Sequence, residues 1–234
     1  MSGAARRFVE QLGGFHAPGV FNPWSEHDTV HDAGAHAPGI RARQLEAYLS
    51  ERIGRARLLL VAEAAGYQGA KFTGCAMTSE RILLGHLAHR GVRPGDVIAG
   101  RVERTSAAAL RPLGFNEPTA TVVWSTLLAA TGDARGWVNW NAFAFHPHRP
   151  GEPLSNRTPT PVERQAGRPF LAAFLRLYPG AAVIAVGRQA AASLDRLGVP
   201  NRAVRHPSMG GATRFRAGLV EALADARRGH GPGD

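Results

Sequence analysis

The stretch Arg57-Leu-Leu-Leu-Val-Ala-Glu-Ala-Ala-Gly-Tyr-Gln-Gly-Ala-Lys-Phe-Thr-Gly74 decides the architecture. Its apolar residues, Leu58 to Ala62, run on without alternating with polar ones. A strand over residues 57–63 is therefore covered on both faces, as in a parallel sheet flanked by helices. The strand runs straight into a loop whose glycines, Gly66, Gly69 and Gly74, permit a tight turn and close approach of backbone to a ligand. This is not a Walker phosphate loop: the spacing before Lys71 is wrong and no Lys-Ser/Thr pair opens the next helix.

Working outward, the same alternation repeats. Residues 41–53 have helical spacing, with Leu45, Tyr48, Leu49 and Ile53 on one side. Residues 78–90 form a helix with Ile82, Leu83 and Leu87 inward and Gly91 as its stop. A variable segment, 92–118, precedes a helix over 119–130 and a strand over 137–141. A helix over 160–177, a strand over 181–186, a helix over 188–197, a short strand over 203–205 and a helix over 211–226 complete the pattern. Strands alternating with helices define an α/β fold: a four-stranded, mainly parallel sheet with helices on both faces. The domain occupies 41–226. Residues 1–40, rich in Gly, His, Pro and Ala, form a mostly irregular arm packed on the domain, with a short helix near Arg6 to Leu12, and 227–234 are a frayed tail.

With 234 residues, 44% of them apolar, the chain buries a core without disulfide or metal staples. One cysteine, Cys75, excludes an intramolecular disulfide framework and a four-cysteine iron–sulfur or zinc site. No secretory h-region or bilayer-length apolar run is present, so a soluble cytoplasmic protein without membrane contact is expected. The 28 basic residues exceed the 18 acidic ones by ten, and all but Lys71 are arginine. That surplus suits a polyanionic partner, which arginine engages through bidentate phosphate contacts; an arginine-rich composition also arises without such a partner.

Ligands bind beyond the C-terminal ends of strands in such sheets, and three loops leave those ends. In the first, Glu63 is a functional carboxylate or a capping group, and Phe72 a stacking surface or a core plug. The second reads Asn141-Ala-Phe-Ala-Phe-His-Pro-His-Arg-Pro-Gly151 and then Asn156-Arg-Thr-Pro-Thr-Pro161. A strand-end asparagine offers donor and acceptor to the edge of a nucleobase. His146 and His148 lack an acidic or cysteine neighbour, which favours solvated loop histidines or phosphate neighbours over metal ligands. The third reads Arg205-His-Pro-Ser-Met-Gly-Gly211, in which a neutral His206 either donates to a developing anion or caps the turn. Arg205, Arg214 and Arg216 make its mouth basic.

Together the three loops resemble the uracil-DNA glycosylase superfamily. Its iron–sulfur members carry Gly-Glu-Ala-Pro-Gly and Gly-Arg-Pro-Phe-Val-Gly, where this chain has Ala62-Glu-Ala-Ala-Gly66 and Gly69-Ala-Lys-Phe-Thr-Gly74. Their strand-end Asn with Asn-Arg-x-Pro resembles Asn141 to Pro159, and their His-Pro-Ser resembles His206-Pro207-Ser208. The resemblance spans residues 58–226 and implies a three-layer α/β/α sandwich. It implies that Phe72 stacks on a flipped base, that Asn141 reads its edge and that Gly66 and Tyr67 border it. His206 would donate to the uracil carbonyl, and Glu63 would position water. Met209 would be the wedge, and Asn156, Arg157, Arg205 and Ser208 phosphate or positioning contacts. The implied reaction is hydrolytic excision of uracil from single- and double-stranded DNA by a monomer, without metal or cofactor.

The chain departs from the pattern at several points. The cluster cysteines are missing, Ala65 replaces a proline, and Ala64 stands where the best-known branch has an aspartate. Gly66 stands where that branch has its thymine-excluding tyrosine, with Tyr67 next to it. The reading is thus of a divergent branch nearest the iron–sulfur type. Excision of another deaminated base such as hypoxanthine, binding or trapping of uracil-DNA without turnover, and a metal-dependent hydrolase using His146 and His148 remain alternatives.

Overall fold

The apolar run after Arg57 becomes the inner strand of the main sheet. The computed structural model describes residues 2–229. Its elements in order are α1 (Ser2–Gly13), β1 (Val20–Phe21), α2 (Ala37–Ser50), β2 (Leu58–Ala64), α3 (Ala70–Thr73), α4 (Glu80–Leu83) and α5 (Pro94–Val97). There follow α6 (Pro118–Thr131), β3 (Trp137–Phe143), β4 (His146–Pro147), α7 (Pro161–Arg176), β5 (Ala182–Val186), α8 (Arg188–Asp195), β6 (Arg202–Val204) and α9 (Ala212–Gly229).

The sheet order is β3-β2-β5-β6, and each neighbouring pair is parallel. Leu60 pairs with Asn139 on one side and Ile184 on the other, and Ala62 pairs with Asn141. That register brings Glu63 and Asn141 to the same end of the sheet. β3 is a sheet edge yet is buried along its whole length, because both its faces are covered. Trp137 meets Trp124 of α6 with ring centroids 4.4 Å apart. On the opposite face Trp140 packs against Phe8 of α1 at 5.4 Å and Phe174 of α7 at 4.6 Å. The result is the expected α/β/α sandwich.

The first forty residues differ from the irregular arm expected of them. Residues 2–13 are helical, and α1 contributes Ala5, Phe8, Val9 and Leu12 to the core. The chain then turns on Asn22, which is fully buried and donates to the Leu12 and Phe15 carbonyls while its Oδ1 accepts from Trp24 N. β1 pairs antiparallel with β4, a small second sheet that two-residue strands do not announce in sequence. Buried Lys71 is bound to Asp28 at 2.6 Å, and buried Arg41 to Asp32 at 2.7 Å, so ion pairs fasten this segment. The Lys71 ammonium and the nearby His31 outweigh the desolvation that would raise Asp28, and hold its carboxyl well below the usual range.

The single helix expected over 78–90 is two pieces, α4 and a 3₁₀ turn at Ala88–Arg90, interrupted at Gly85 with φ of +83°. Glu80, at the start of α4, ties a distant segment to it. Its buried carboxylate accepts from the backbone N–H groups of Thr105, Ser106 and Phe115 at 2.9–3.2 Å, hanging the 92–117 segment on α4. At the C-terminus α9 continues to Gly229, so 227–229 are helical where fraying was expected. Residues 230–234 of that expected tail lie outside the described residues.

Candidate active site

An open cleft of about 610 Å³ lies across the C-terminal ends of β2 and β3. Its walls include Glu63, Gly66, Asn141, Asn156, His206 and Met209 from the loops singled out in sequence, together with Met77 and Glu117 from segments that were not. Glu63 also borders two further hollows, one beside Gly187 and His206 and one among Arg164, Arg168 and Arg196. One of its oxygens, Oε1, is buried without a hydrogen-bond partner among the described residues. A carboxylate oxygen left so, where hollows meet, is free to accept from a water or substrate hydroxyl.

Asn141 is 4% exposed, and its side-chain amide makes no hydrogen bond to protein among the described residues. Its nitrogen and oxygen, unlike the enclosed amide of Asn139, are open to the cleft, where a ligand can bond to both. His206 is held differently. Its Nδ1 accepts from Ser208 N at 3.1 Å, with the Ser208 hydroxyl 2.7 Å away. Because Nδ1 is the acceptor, a neutral ring carries its proton on Nε2. Burial first, and the charge of Arg205 second, keep the imidazole below its usual pKa, so the ring is neutral near pH 7.

Two backbone positions at the cleft are unusual. Met77 and Met209 have φ of +47° and +50°, and they are the non-glycine residues with positive φ among the described ones. Met209 is 94% exposed at the rim, whereas Met77 is buried in the wall. Gly211 closes the Met209 turn, since a Cβ there would fall 2.2 Å from the His206 carbonyl.

Solved structures locate this architecture. Wild-type SMUG2 of Pedobacter heparinus superposes with a TM-score of 0.63 at 14% identity, covering 96% of this chain and 97% of that one. The two chains share the three-layer α/β/α fold. No family model matches the chain, and no curated protein matches it.

On this fold several residues stand where the sequence did not put them. Phe72 is fully buried and does not line the cleft; its ring lies parallel to Phe115, with centroids 4.3 Å apart. It is the core plug rather than an exposed stacking surface, because the short helix α3 turns it inward beneath the 92–117 segment. Met77 takes a place in the cleft wall instead. Gly74-Cys-Ala-Met77 repeats the spacing of Gly69-Ala-Lys-Phe72 five residues later, a signal that could have revealed it.

Arg157, expected as a phosphate or positioning contact, has its five N–H groups engaged within the protein. They meet the His148, Thr158 and Gly19 carbonyls and both oxygens of Glu163. It is a clamp that joins the second loop to the start of α7. Asn156 accepts from Tyr67 N at 3.1 Å and so ties the second loop to the first, while Tyr67 itself packs edge-on against Phe115 outside the cleft lining. Arg205 is exposed and borders the hollow beside His206.

His146 is not a solvated loop residue. It is fully buried, with Nδ1 3.0 Å from the Ala65 carbonyl and Nε2 3.1 Å from the Pro153 carbonyl. Burial pushes it down to about 4, and the neutral ring donates to one of these oxygens at a time. It links the first two loops and presents no free nitrogen to an ion. Among the described residues no three His, Cys, Asp or Glu side chains are grouped to hold a metal, and no helix is long and apolar enough to cross a membrane.

Proposed function

We propose that this protein is a DNA glycosylase that extrudes uracil from DNA and hydrolyses its N-glycosidic bond without a metal ion. A base inside a duplex is out of reach of any side chain, so it must swing into a pocket and be read on its edge and face. The observation that carries the reading is the convergence of three groups on one cleft: the unpartnered Asn141 amide, the neutral His206 ring and the Glu63 carboxylate. Bond breaking leaves the electron pair on the base, so the uracil leaves as an anion and the sugar becomes cationic. His206, donating from Nε2 to a carbonyl of the base, stabilises that anion without bringing a proton that must first be bound. Glu63 stabilises the sugar and orients the water that attacks it. Asn141 donates to one carbonyl and accepts from the adjacent ring N–H.

Met77 fills the wall against which the base face rests, Gly66 borders the base, and exposed Met209 is the wedge that enters the vacated stack. Arg205 contacts a flanking phosphate, and Ser208 positions His206. The substrate is uracil in single-stranded and double-stranded DNA, and the protein acts as a cytoplasmic monomer on the nucleoid. Incubation of uracil-containing DNA with the protein in the presence of chelator, followed by chromatography of the released material, tests this. Free uracil is the expected product; its absence while a control enzyme releases it refutes the assignment.

A further inference from the structure

Glu117 stands at the N-cap of α6, and its side chain accepts from none of the first N–H groups of the helix. The carboxyl instead belongs to the cleft wall, with Asn141, Met77 and His206. Its Oε1 accepts from the Thr119 hydroxyl at 3.2 Å. Its Oε2 fills the space that a side chain at position 69 would need: a Cβ on Gly69 would lie 2.0 Å from it. The first loop thus carries glycine at the one place that makes room for this oxygen. Among the described residues Glu117 has no cationic partner.

We propose that Glu117 is a second hydrogen-bond donor to the leaving base, acting on a carbonyl oxygen together with Asn141. The inference rests on the glycosylase reading above. Burial, only partly opposed by the Thr119 hydroxyl, pushes this carboxyl up to about 7. Near neutral pH a large share of it therefore carries the O–H that the role requires. The charged groups around it do not supply another cause. Glu63 and His206 line the same cleft, and Arg157 there is neutralised by Glu163. On the flanking segments Lys71 is paired with Asp28, and Glu80 is held by backbone N–H groups.

The chemistry gives such a donor a purpose. When the bond from sugar to base breaks, its electron pair delocalises over both carbonyl oxygens of uracil. His206 serves one of them. A neutral Glu117 serves the other without transferring its proton, and the base takes its proton from water after release. An ionised Glu117 would repel the same anion.

Single-turnover excision from pH 6 to pH 9 by wild type, Glu117→Gln and Glu117→Ala tests the proposal. E117A is expected to lose about 10²-fold at pH 6. Wild type is expected to fall by about tenfold per pH unit above about 7. E117Q keeps an N–H donor that does not ionise; it starts a few-fold below wild type and holds that rate to pH 9. E117A at the wild-type rate, or E117Q following the wild-type profile, overturns the proposal. If E117A does not fold, by circular dichroism melting, the E117Q profile decides.

Binding to an oligonucleotide carrying 2′-fluoro-arabino-uridine, whose glycosidic bond resists cleavage, separates this inference from the reading beneath it. Wild type that excises nothing, yet prefers this strand to its 2′-fluoro-arabino-cytidine counterpart through Glu117, upholds Glu117 and refutes turnover. Wild type without any preference overturns both.

Discussion

The backbone N–H of Ser208 lies 3.1 Å from Nδ1 of His206, two residues earlier in the same turn. A backbone donor does not rotate away, so it fixes which ring nitrogen carries the proton, and it survives any change of the Ser208 side chain. The hydroxyl, 2.7 Å from the same nitrogen, reinforces this contact but does not create it. His206→Ala should accordingly lower single-turnover excision by about 10²–10³-fold, whereas Ser208→Ala should lower it by no more than about tenfold. Equal losses in the two variants would place the orientation of the ring in the hydroxyl.

Asn141 makes no side-chain hydrogen bond to protein among the described residues, so removing its amide leaves no partner stranded. Asn141→Ala is expected to abolish discrimination between uracil and cytosine oligonucleotides in binding, since cytosine presents an amine and a bare ring nitrogen to the same amide. Its urea unfolding free energy should stay within about 1 kcal/mol of wild type. A large stability loss would make Asn141 a structural residue.

Arg157 and Arg205 should separate cleanly. Arg157→Ala breaks a bidentate contact with Glu163 and three carbonyl contacts, and is expected to destabilise the fold by about 2 kcal/mol in urea melts. Arg205→Ala is expected to leave stability unchanged and to reduce the salt slope of DNA binding by about one. A changed salt slope in R157A with an unchanged melt would reverse these roles.

Stability against pH tests the two buried titrating groups together. His146 has its folded value pushed down to about 4 by burial, so the folded state binds fewer protons than the unfolded one between about 4 and 6.5. Its contribution is present at pH 7 and is lost on acidification through that window, to the extent of about 3 kcal/mol. Glu117, raised to about 7, acts in the opposite sense: above its ordinary range of about 4.5 the folded state binds more protons, and rising pH destabilises it. The two nearly cancel between about 4.5 and 6.5. Glu117→Gln removes one of them, so its urea midpoint should climb with pH across that window more steeply than wild type does. Parallel curves would show that Glu117 is not raised by burial.

The sheet could be read from residues because Leu58 to Ala62 and Val183 to Val186 are apolar runs that only a doubly covered strand accommodates, and Trp137 to Trp140 is broken only by the buried Asn139. Asn141 and His206 could be read because a polar group at the end of such a run has no structural excuse there. What could not be read depends on contacts distant in sequence. Glu80 resembles an ordinary first-turn acid until the N–H groups of Thr105, Ser106 and Phe115 converge on it. Glu117, before Pro118, has the local signature of a helix cap. Phe72 and Met77 share a spacing, and only packing against Phe115 decides which of them goes inward. The first helix was underestimated because the glycines and prolines that follow Leu12 mask a good amphipathic segment before it.

The most direct test of the account is strand cleavage of a labelled oligonucleotide bearing one uracil, incubated with the protein and chelator and then treated with alkali. Wild type is predicted to give a single break at the uracil, and H206A and N141A to give none in the same time. An intact strand with wild type beside an active control enzyme, or cleavage by H206A as fast as by wild type, would contradict it.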